Sequence, residues 1–314
     1  MNRPKVSIII PSYNASKYIS DTVQSLIDQS FTNWELIIVD DGSRDNSKEI
    51  ISKFSETDSR IKYFFQENAG VSAARNHGIK RASGKYITFL DADDYLLSHN
   101  LQRKVDLLDA DETIDWVFSD VELTDENLNV LDSEAGLDQD IFERFLLWEQ
   151  TVVTVPCSNI ILRRKCVDDG LCFDTNLSTA ADQDFCFYLA QKYTGKRINE
   201  CLVRYRIVPG SMSQNIALME KDHVYVYRKA KRNGLFKDWY FKQRCFSNLY
   251  MILAGSWIVD GGNRWRGFYF FCKSLLCYPP TIFKIAKKYF SPQQMGSVSN
   301  FSKTKQKIIS MQER

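Results

Sequence analysis

The chain has 314 residues, of which 44% are hydrophobic and 25% are charged, a composition typical of a folded globular protein. This composition excludes a mainly disordered chain, and the net charge of +2 gives no overall attraction to nucleic acid. The charge is unevenly distributed: residues 1–220 contain 23 basic and 35 acidic side chains, and residues 221–314 contain 18 basic and 4 acidic ones. An acidic N-terminal part and a basic C-terminal part indicate two regions with different partners.

Strand and helix patterns alternate over about the first hundred residues. Four runs rich in β-branched and aromatic residues predict buried strands, at residues 6–10, 36–39, 61–64 and 86–90. Segments with helical spacing lie between them, at residues 18–30, 47–54 and 70–82. This alternation is typical of the α/β class with a mostly parallel, doubly wound sheet.

The later elements are less regular. Residues 106–149 contain 15 acidic side chains and the single base Arg144, and we expect helices and a surface loop there. Strand character resumes over residues 152–161, residues 182–192 have helical spacing, and residues 201–205 form a short strand pattern. From about residue 215 the pattern is helical.

Polar clusters follow three of the predicted strands, at Pro11–Asn14, Asp40–Ser43 and Asp91–Asp94. The carboxyl ends of parallel strands meet at one edge of a sheet, where ligands bind in this fold class. The sequence therefore predicts that these three clusters line one crevice.

The acidic clusters suggest a cation site. Asp91 and Asp93 can aim at one point if the turn is tight, and carboxylates are ligands that Mg²⁺ and Mn²⁺ prefer. A solvated turn is the alternative for this pair, but its place directly after a buried strand favours the cation. Asp41 is either a turn residue or an acceptor for a base or ribose. Tyr13 either stacks on a base or packs against the protein.

The third helix offers a possible anion contact. It begins after Gly70, and a helix N-terminus preceded by glycine suits an anion. Arg75, one turn into that helix, would add a positive charge there. The alternative for Arg75 is a surface salt bridge.

These pieces together resemble family 2 glycosyltransferases with the GT-A fold, a Rossmann-like arrangement. The resemblance rests on four segments in the expected order, Val6–Asn14, Trp34–Asp45, Gln66–Gly78 and Gly84–Asp94. It is close over residues 4–100, looser to about residue 215, and fades beyond.

The resemblance implies an inverting enzyme that moves a sugar from a nucleotide-diphospho-sugar, with a UDP-sugar as the expected donor. The acceptor would be a hydroxyl of a glycan or polyprenyl-linked glycan, in cell-surface polysaccharide biosynthesis. By position, Pro11, Tyr13 and Asp41 would line the base pocket, and Arg75 would lie by the nucleotide. Asp91 would lie by the ribose and donor sugar.

The resemblance also implies a divalent cation and a catalytic base. Asp93 would hold Mn²⁺ or Mg²⁺ on the diphosphate. Asp182 stands at the position of the base, with Ala181 in place of the usual glutamate. Asp184 is the alternative base, and a helix cap is the alternative role for Asp182.

Another departure from the family pattern lies further along the chain. Many relatives carry a histidine that can bind the metal near the position of Val208, and valine cannot bind one. Arg206 and Ser211, on either side of it, would contact donor or acceptor.

We expect residues 1–215 to form the transferase domain, residues 216–290 a basic, aromatic helical region, and residues 291–314 a flexible tail. Aromatic and basic residues on amphipathic helices suit an anionic membrane surface, and packing against the catalytic body is the alternative. The expected location is the cytoplasm or the inner face of the membrane, and nucleic acid is not an expected partner.

Two other functions compete with this one. A nucleotidyltransferase usually has a glycine-rich basic loop after its first strand, and Pro11–Asn14 is not such a loop. A non-catalytic module that binds sugar nucleotides has no need of Asp93 and Asp182.

Overall fold

The computed structural model describes residues 3–208 and 211–283, and the chain divides into two compact units. The first unit comprises the residues up to 139 together with 153–207. The second comprises residues 140–152 together with those from 208 onward. The sequence placed a boundary after residue 215 and did not separate residues 140–152. The tail predicted for residues 291–314 lies outside the described residues.

The described residues contain nine strands and eleven α-helices. The strands are β1 (Val6–Ser12), β2 (Trp34–Asp40), β3 (Ile61–Phe65), β4 (Tyr86–Phe89), β5 (Tyr95–Leu96), β6 (Trp116–Thr124), β7 (Val130–Glu134), β8 (Ile161–Arg163) and β9 (Gly195–Arg206). The helices are α1 (Ile19–Ile27), α2 (Ser47–Thr57), α3 (Val71–Arg81), α4 (Asn100–Ala110), α5 (Ile141–Leu147), α6 (Pro156–Asn159), α7 (Arg164–Asp168), α8 (Ala181–Lys192), α9 (Ile216–Arg232), α10 (Trp239–Val259) and α11 (Arg264–Cys277).

The nine strands form one sheet in the first unit, in the order β3-β2-β1-β4-β8-β6-β9-β5, with β7 paired to β6. The pairs among β3, β2, β1 and β4 are parallel, as is the pair of β6 with β9. The other pairs are antiparallel, so the second half of the sheet is mixed. The predicted α/β fold with a doubly wound sheet is confirmed. The chain moves from β1 outward to β3 and then returns to β4 on the other side of β1, which makes a topological switch point there.

The buried centre of the sheet explains why its strands are readable in the sequence. Every residue of β1, β2 and β4 is buried, which requires the continuous apolar runs that predicted them. Helix α3 lies directly against β1, since a Cβ placed on Gly78 would be 2.3 Å from Cγ2 of Ile9. This close contact fixes α3, which carries Arg75, over the carboxyl half of the strand.

The expectation of helices and a surface loop over residues 106–149 was wrong in part. Residues 116–124 form the buried strand β6, although the surrounding sequence is strongly acidic. The acids in the strand face arginines of its neighbour β9: Asp120 binds Arg197 at 2.6 Å and Glu122 binds Arg204 at 2.8 Å. These cross-strand ion pairs allow acidic residues inside a sheet.

The strand predicted over residues 152–161 was also wrong for most of its length. Val155 adopts a left-handed conformation with φ of 48°, and Pro156 then begins the short helix α6. Only Ile161 at its end belongs to a strand, β8. A β-branched residue with positive φ is strained, and its conformation is set by the surrounding contacts rather than by its own propensity.

The second unit is helical, as predicted for its C-terminal part, and α5 joins it through residues 140–152. Tyr227 of α9 donates a hydrogen bond to the carbonyl of Leu146, and Arg244 of α10 pairs with Glu149 at 2.8 Å. Helices α10 and α11 share a buried hydroxyl pair, with Oγ of Ser247 and Ser274 2.8 Å apart. None of the helices in the described part of the chain combines the length and apolar content of a membrane-spanning segment.

A buried lysine forms hydrogen bonds with the last residue of α6. Lys104 of α4 is 1% exposed, and its Nζ donates to the backbone and side-chain oxygens of Asn159. Asn159 in turn accepts hydrogen bonds from the backbone and hydroxyl of Ser119. Burial lowers the pKa of Lys104 to about 7. The Nζ of Lys104 thus donates to neutral oxygens of Asn159, the residue that follows Ser158.

Replacing Lys104 by methionine tests this assignment through its pH dependence. The folded protein releases the Lys104 proton near pH 7, whereas the unfolded chain keeps it up to a pKa near 10.5. The unfolded state therefore binds more protons in that interval, and the stability of the native chain relative to Lys104→Met rises from pH 7 to pH 10. The slope is at most about 1.4 kcal/mol per pH unit. Urea unfolding at several pH values measures it.

The matched control is Lys48→Met, since Lys48 is exposed on α2. We expect its stability difference from the native chain to stay flat over the same pH range. A flat profile for Lys104→Met as well would show that Lys104 is charged and fully compensated at pH 9.

Candidate active site

The predicted clusters lie at one edge of the sheet. Strands β1 and β2 run in parallel register, with Ser12 opposite Asp40, and β4 on the other side of β1 ends at Phe89. The backbone N–H of Asp41 donates to the carbonyl of Ser12 at 2.8 Å, which ties the two strand ends together. The switch point between β1 and β4 thus faces the acidic turn that begins at Asp91.

Asp41 organises the loop that leads into α3. Its carboxylate is 4% exposed and accepts hydrogen bonds from Nε2 of Gln66 and from the backbone N–H groups of Ala69 and Gly70, at 2.7 to 2.8 Å. Gly70 has φ of +91°, a conformation that favours glycine. The carboxylate thereby sets the turn from which α3 starts, in addition to the base contact that the resemblance implies.

The neighbouring predicted base-pocket residues differ in exposure. Pro11 is buried within β1, and Tyr13, just beyond the strand end, is 52% exposed. The loop after Tyr13 is fixed at Asn14, whose backbone N–H donates to Oγ of Ser43 at 2.9 Å. Tyr13 is therefore an exposed aromatic ring on a loop of defined conformation.

A buried arginine joins α3 to the acidic turn. Nη2 of Arg75 donates to Oδ1 of Asp91 at 2.6 Å, and the arginine side chain is 6% exposed. Its guanidinium also lies 5.2 Å from the ring centre of Phe173 and interacts electrostatically with Asp182. Its Nε is buried without a hydrogen-bond partner. The alternative of a surface salt bridge is wrong for Arg75, because the pair is largely buried.

The acidic turn holds three carboxylates close together. Asp94 is fully buried, and its side chain accepts hydrogen bonds from Oγ of Ser158 and from the backbone N–H of Arg206. The same Ser158 Oγ accepts the N–H of Asp91 at 3.0 Å. Burial and the nearby charge of Asp91 raise the pKa of Asp93 to about 6. Burial and the charges of Asp93 and Asp91 raise the pKa of Asp94 well above its usual range, and both oxygens of its carboxylate are used in the hydrogen bonds to Ser158 and Arg206.

The predicted base belongs to the same electrostatic cluster. Asp182 lies in the first turn of α8 and accepts the backbone N–H of Gln183 at 2.7 Å. Burial raises its pKa, Arg75 opposes that rise, and Asp91 adds to it. Asp184, the alternative base, lies two residues further along α8 and is 2% exposed, so it is more deeply buried than Asp182.

The side chain of Arg206 is buried and bound to other residues of the protein, whereas the sequence predicted a contact with donor or acceptor. Its side chain is 2% exposed; it donates to the carbonyl of Glu126 at 2.8 Å and pairs with Asp21 at 3.1 Å. Its guanidinium lies 4.6 Å from the ring centre of Tyr18. These contacts fix Arg206 under the acidic turn, where its charge lowers the pKa of Asp93. Val208 and Ser211 belong to the second unit.

Sequence reasoning missed several members of the cluster. Tyr205 interacts electrostatically with Asp93, Asp94 and Asp182, and burial raises its pKa. Ser158 joins the backbone of the acidic turn to Asp94. Asp94 belongs to the predicted cluster Asp91–Asp94, but the sequence assigned it no role of its own. Tyr205 and Ser158 carry no signal, because only the fold brings their segments to this edge.

A divalent cation fits the acidic turn under one condition. In the described residues no group of three or more His, Cys, Asp and Glu side chains is arranged to hold a metal alone. Asp93 beside Asp91 nevertheless offers hard oxygen ligands. Burial and then repulsion by Asp91 raise the pKa of Asp93, and a nearby cation would oppose both effects. Cations such as Mg²⁺ often combine one or two carboxylates with phosphate oxygens and water. The residues therefore fit a cation that arrives with a phosphate-bearing ligand.

Comparisons with known proteins show which family and which relatives the sequence resembles. The model of the family described as "Glycosyl transferase family 2" matches residues 7–171. The putative teichuronic acid biosynthesis glycosyltransferase TuaG of Bacillus subtilis is 33% identical over 244 residues, which cover 77% of this chain and 94% of that protein.

Two solved structures share the fold. S. aureus TarS in complex with UDP-GlcNAc matches with a TM-score of 0.57 and 18% identity, covering 90% of this chain and 92% of that one. The mannosyltransferase PcManGT from Pyrobaculum calidifontis, in complex with GDP-Man and Mn²⁺, matches with a TM-score of 0.61 and 16% identity. That match covers 99% of this chain and 86% of the other. At these identities the likeness is one of fold.

The support role of Asp41 predicts a stability loss in Asp41→Asn. The amide would present an NH₂ group where the carboxylate accepts an N–H from Gln66, Ala69 or Gly70, which leaves a donor unpaired. We expect a loss of about 1–3 kcal/mol in the free energy of unfolding, measured with urea. Asp28→Asn, at an exposed site on the C-terminal end of α1, should change stability little. Native stability in Asp41→Asn would rule out this support role.

Proposed function

The chain belongs to glycosyl transferase family 2 and is a glycosyltransferase, and from that premise we propose that its donor is a UDP-sugar bound at the switch point between β1 and β4. The observation that carries the proposal is the cluster in which Arg75, Asp91, Asp93 and Asp182 interact at the carboxyl edge of the sheet. TarS in complex with UDP-GlcNAc supports this choice of nucleotide by analogy of fold. Pro11, Tyr13 and Asp41 would line the base pocket.

The acceptor we propose is a hydroxyl of a glycan or lipid-linked glycan in cell-surface polysaccharide biosynthesis, which the name of TuaG supports. The transfer would invert the anomeric carbon. Asp182 would take the proton of that hydroxyl, and its raised pKa makes it a stronger base than a solvated carboxylate. Arg75 would keep Asp182 deprotonated and hold Asp91 beside the ribose and donor sugar. Arg206 would act on the donor indirectly, by fixing the acidic turn.

Asp93 would hold a divalent cation, Mn²⁺ or Mg²⁺, together with the diphosphate of the donor. When bound, such an ion neutralises charge on a leaving diphosphate. The chain would help to position Asp93 through its neighbour Asp94, whose side chain accepts hydrogen bonds from Ser158 and from the backbone of Arg206. The structure of PcManGT with Mn²⁺ supports this choice of ion by analogy of fold.

Two variants test the proposed roles of Asp182 and Asp93 separately. Asp182→Asn keeps the size of the side chain but removes the proton acceptor, so we expect native affinity for UDP-sugar and transfer lowered at least 100-fold. Asp93→Ala should lose the Mn²⁺-dependent part of donor binding. Calorimetry with UDP-sugar and a radiolabel transfer assay measure the two effects.

The matched control for both is Asp106→Asn, at an exposed position of α4, which should change neither. Native transfer by Asp182→Asn would refute the base assignment, and Asp184→Asn would then be the next variant. Unchanged Mn²⁺ dependence in Asp93→Ala would refute the proposed metal ligand.

The second unit suggests a peripheral contact with an anionic membrane. On α11, the apolar side chains Trp265, Phe268 and Leu276 are 84%, 57% and 83% exposed. They are spaced at helical intervals along one stripe, and Arg264 and Arg266 stand beside its first member. Large apolar side chains flanked by arginine suit the headgroup region of an anionic bilayer.

Sedimentation of the full chain with anionic and neutral liposomes tests this contact. We expect binding to anionic liposomes, reduced at least fivefold in the double variant Trp265→Ser, Leu276→Ser. The control is Val130→Ser, Leu131→Ser, which removes two exposed apolar side chains of β7 instead. Equal binding by both double variants would refute the assignment of α11 as the membrane contact.

A further inference from the structure

A second cavity lies at the edge of the sheet opposite the candidate active site. Its volume is about 580 Å³. Residues that line it immediately precede strands: Lys5 lies before β1, Asn33 before β2 and Lys85 before β4. The seven residues of β1 separate the two edges by roughly 20 Å, at about 3.3 Å per residue. The cavity is therefore outside the proposed donor site.

The walls of this cavity are predominantly basic. Six of its lining residues are cationic, namely Arg3, Lys5, Lys85, Arg163, Arg164 and Lys165, and Asp168 is its acidic one. The lysines have nearby acids, since Lys5 and Lys85 both pair with Asp109, and Lys165 pairs with Asp115.

The arginines are held mainly by neutral groups. Arg163 donates to the carbonyls of Leu108, Asp111 and Ile114. A carbonyl oxygen carries only a partial negative charge, so a guanidinium bound to one keeps most of its positive charge. Arg3 and Arg164 use their Nε atoms in the same way, on the carbonyls of Ser83 and Gly84 respectively.

Arg164 gives the most specific indication that the cavity binds an anion. Its Nη2 is enclosed by the protein yet has no hydrogen-bond partner there. Burial lowers the pKa of Arg164; Asp168 and Glu35 oppose this, and the positive charge of Arg3 adds to it. An enclosed guanidinium N–H without an acceptor, next to a second guanidinium, is unfavourable. A turn of the Arg164 side chain toward the cavity would bring this N–H to an anion that accepts from both arginines.

We propose that this cavity binds a small phosphorylated compound, whose phosphate oxygens accept hydrogen bonds from Arg164 and Arg3. The arginine fork matches phosphate oxygens in geometry and charge. The volume lies in the range of pockets that hold whole small molecules, so there is room for a sugar or nucleoside attached to the phosphate. Lys85 and Lys165, at the open side, are more than half exposed and would contact the outer phosphate oxygens.

Calorimetry with inorganic pyrophosphate at constant ionic strength tests the proposal. EDTA in the buffer removes divalent cations and with them the metal-dependent binding proposed for Asp93. We expect the native chain to bind, Arg164→Gln to bind at least tenfold more weakly, and Arg3→Gln to be weakened similarly. Asp93→Ala should bind pyrophosphate like the native chain, which separates this site from the donor site.

Lys48→Gln, which removes an exposed charge from α2, is the matched control and should bind normally. If Arg164→Gln does not fold, Arg3→Gln decides the matter, since Arg3 is exposed and precedes the first strand. Absence of binding by the native chain, or native affinity in the folded arginine variants, overturns the proposal. Titration with a sugar 1-phosphate and with UMP then distinguishes which of the two classes of phosphate compound binds more tightly.

Discussion

Burial, together with repulsion among like charges, raises the pKa values of the carboxylates in the candidate active site. Asp91, Asp93, Asp94 and Asp182 share a partly buried region, where the charge of Asp91 raises the pKa of each of the other three. The protein compensates these charges unequally: Asp91 has the guanidinium of Arg75, and Asp94 has only neutral donors. Asp94 is held by Ser158 and by the backbone of Arg206, so Asp93 is the carboxylate to which we assign the proposed cation. Burial raises the pKa of Asp182, and the charge of Arg75 opposes that rise.

The rest of the first unit keeps these charges in place. Asp41 sets the turn before α3, Gly78 lets α3 lie against β1, and Arg75 therefore reaches the acidic turn from a fixed helix. On the other side, Lys104 holds Asn159 and so fixes the short helix whose Ser158 binds Asp94. Two buried chains of contacts thus meet at Asp91–Asp94. A charged cluster of this kind needs rigid supports, because a mobile carboxylate would turn toward water and lose its raised pKa.

The sequence predicts what depends on neighbours along the chain. Strands β1, β2 and β4 are buried on both faces and read as apolar runs, and the acids at their ends follow from topology. Strand β6 cannot be predicted from the local sequence, because its acidic side chains pair with Arg197 and Arg204, which are more than seventy residues away. The positions of Tyr205 and Ser158 near the acidic turn cannot be predicted either, because only the fold brings their segments to it. For Asp41, sequence reasoning located the residue, while its hydrogen bonds to the loop before α3 are visible only in the fold.

The two edges of the sheet differ in charge for a physical reason. In a parallel α/β unit the helices run opposite to the strands, so helix N-termini gather at the carboxyl edge and C-termini at the other. The amino edge is therefore rich in free carbonyls, and Lys80 and Arg81 end α3 there. Carbonyls of Ser83 and Gly84, just past that helix, bind the arginines of the basic cavity. Dipoles explain why cations collect at this edge, but they satisfy only part of a guanidinium's hydrogen-bonding capacity. The carbonyls at the helix ends leave the Nη2 of Arg164 without an acceptor. A phosphate group in the cavity would supply that acceptor.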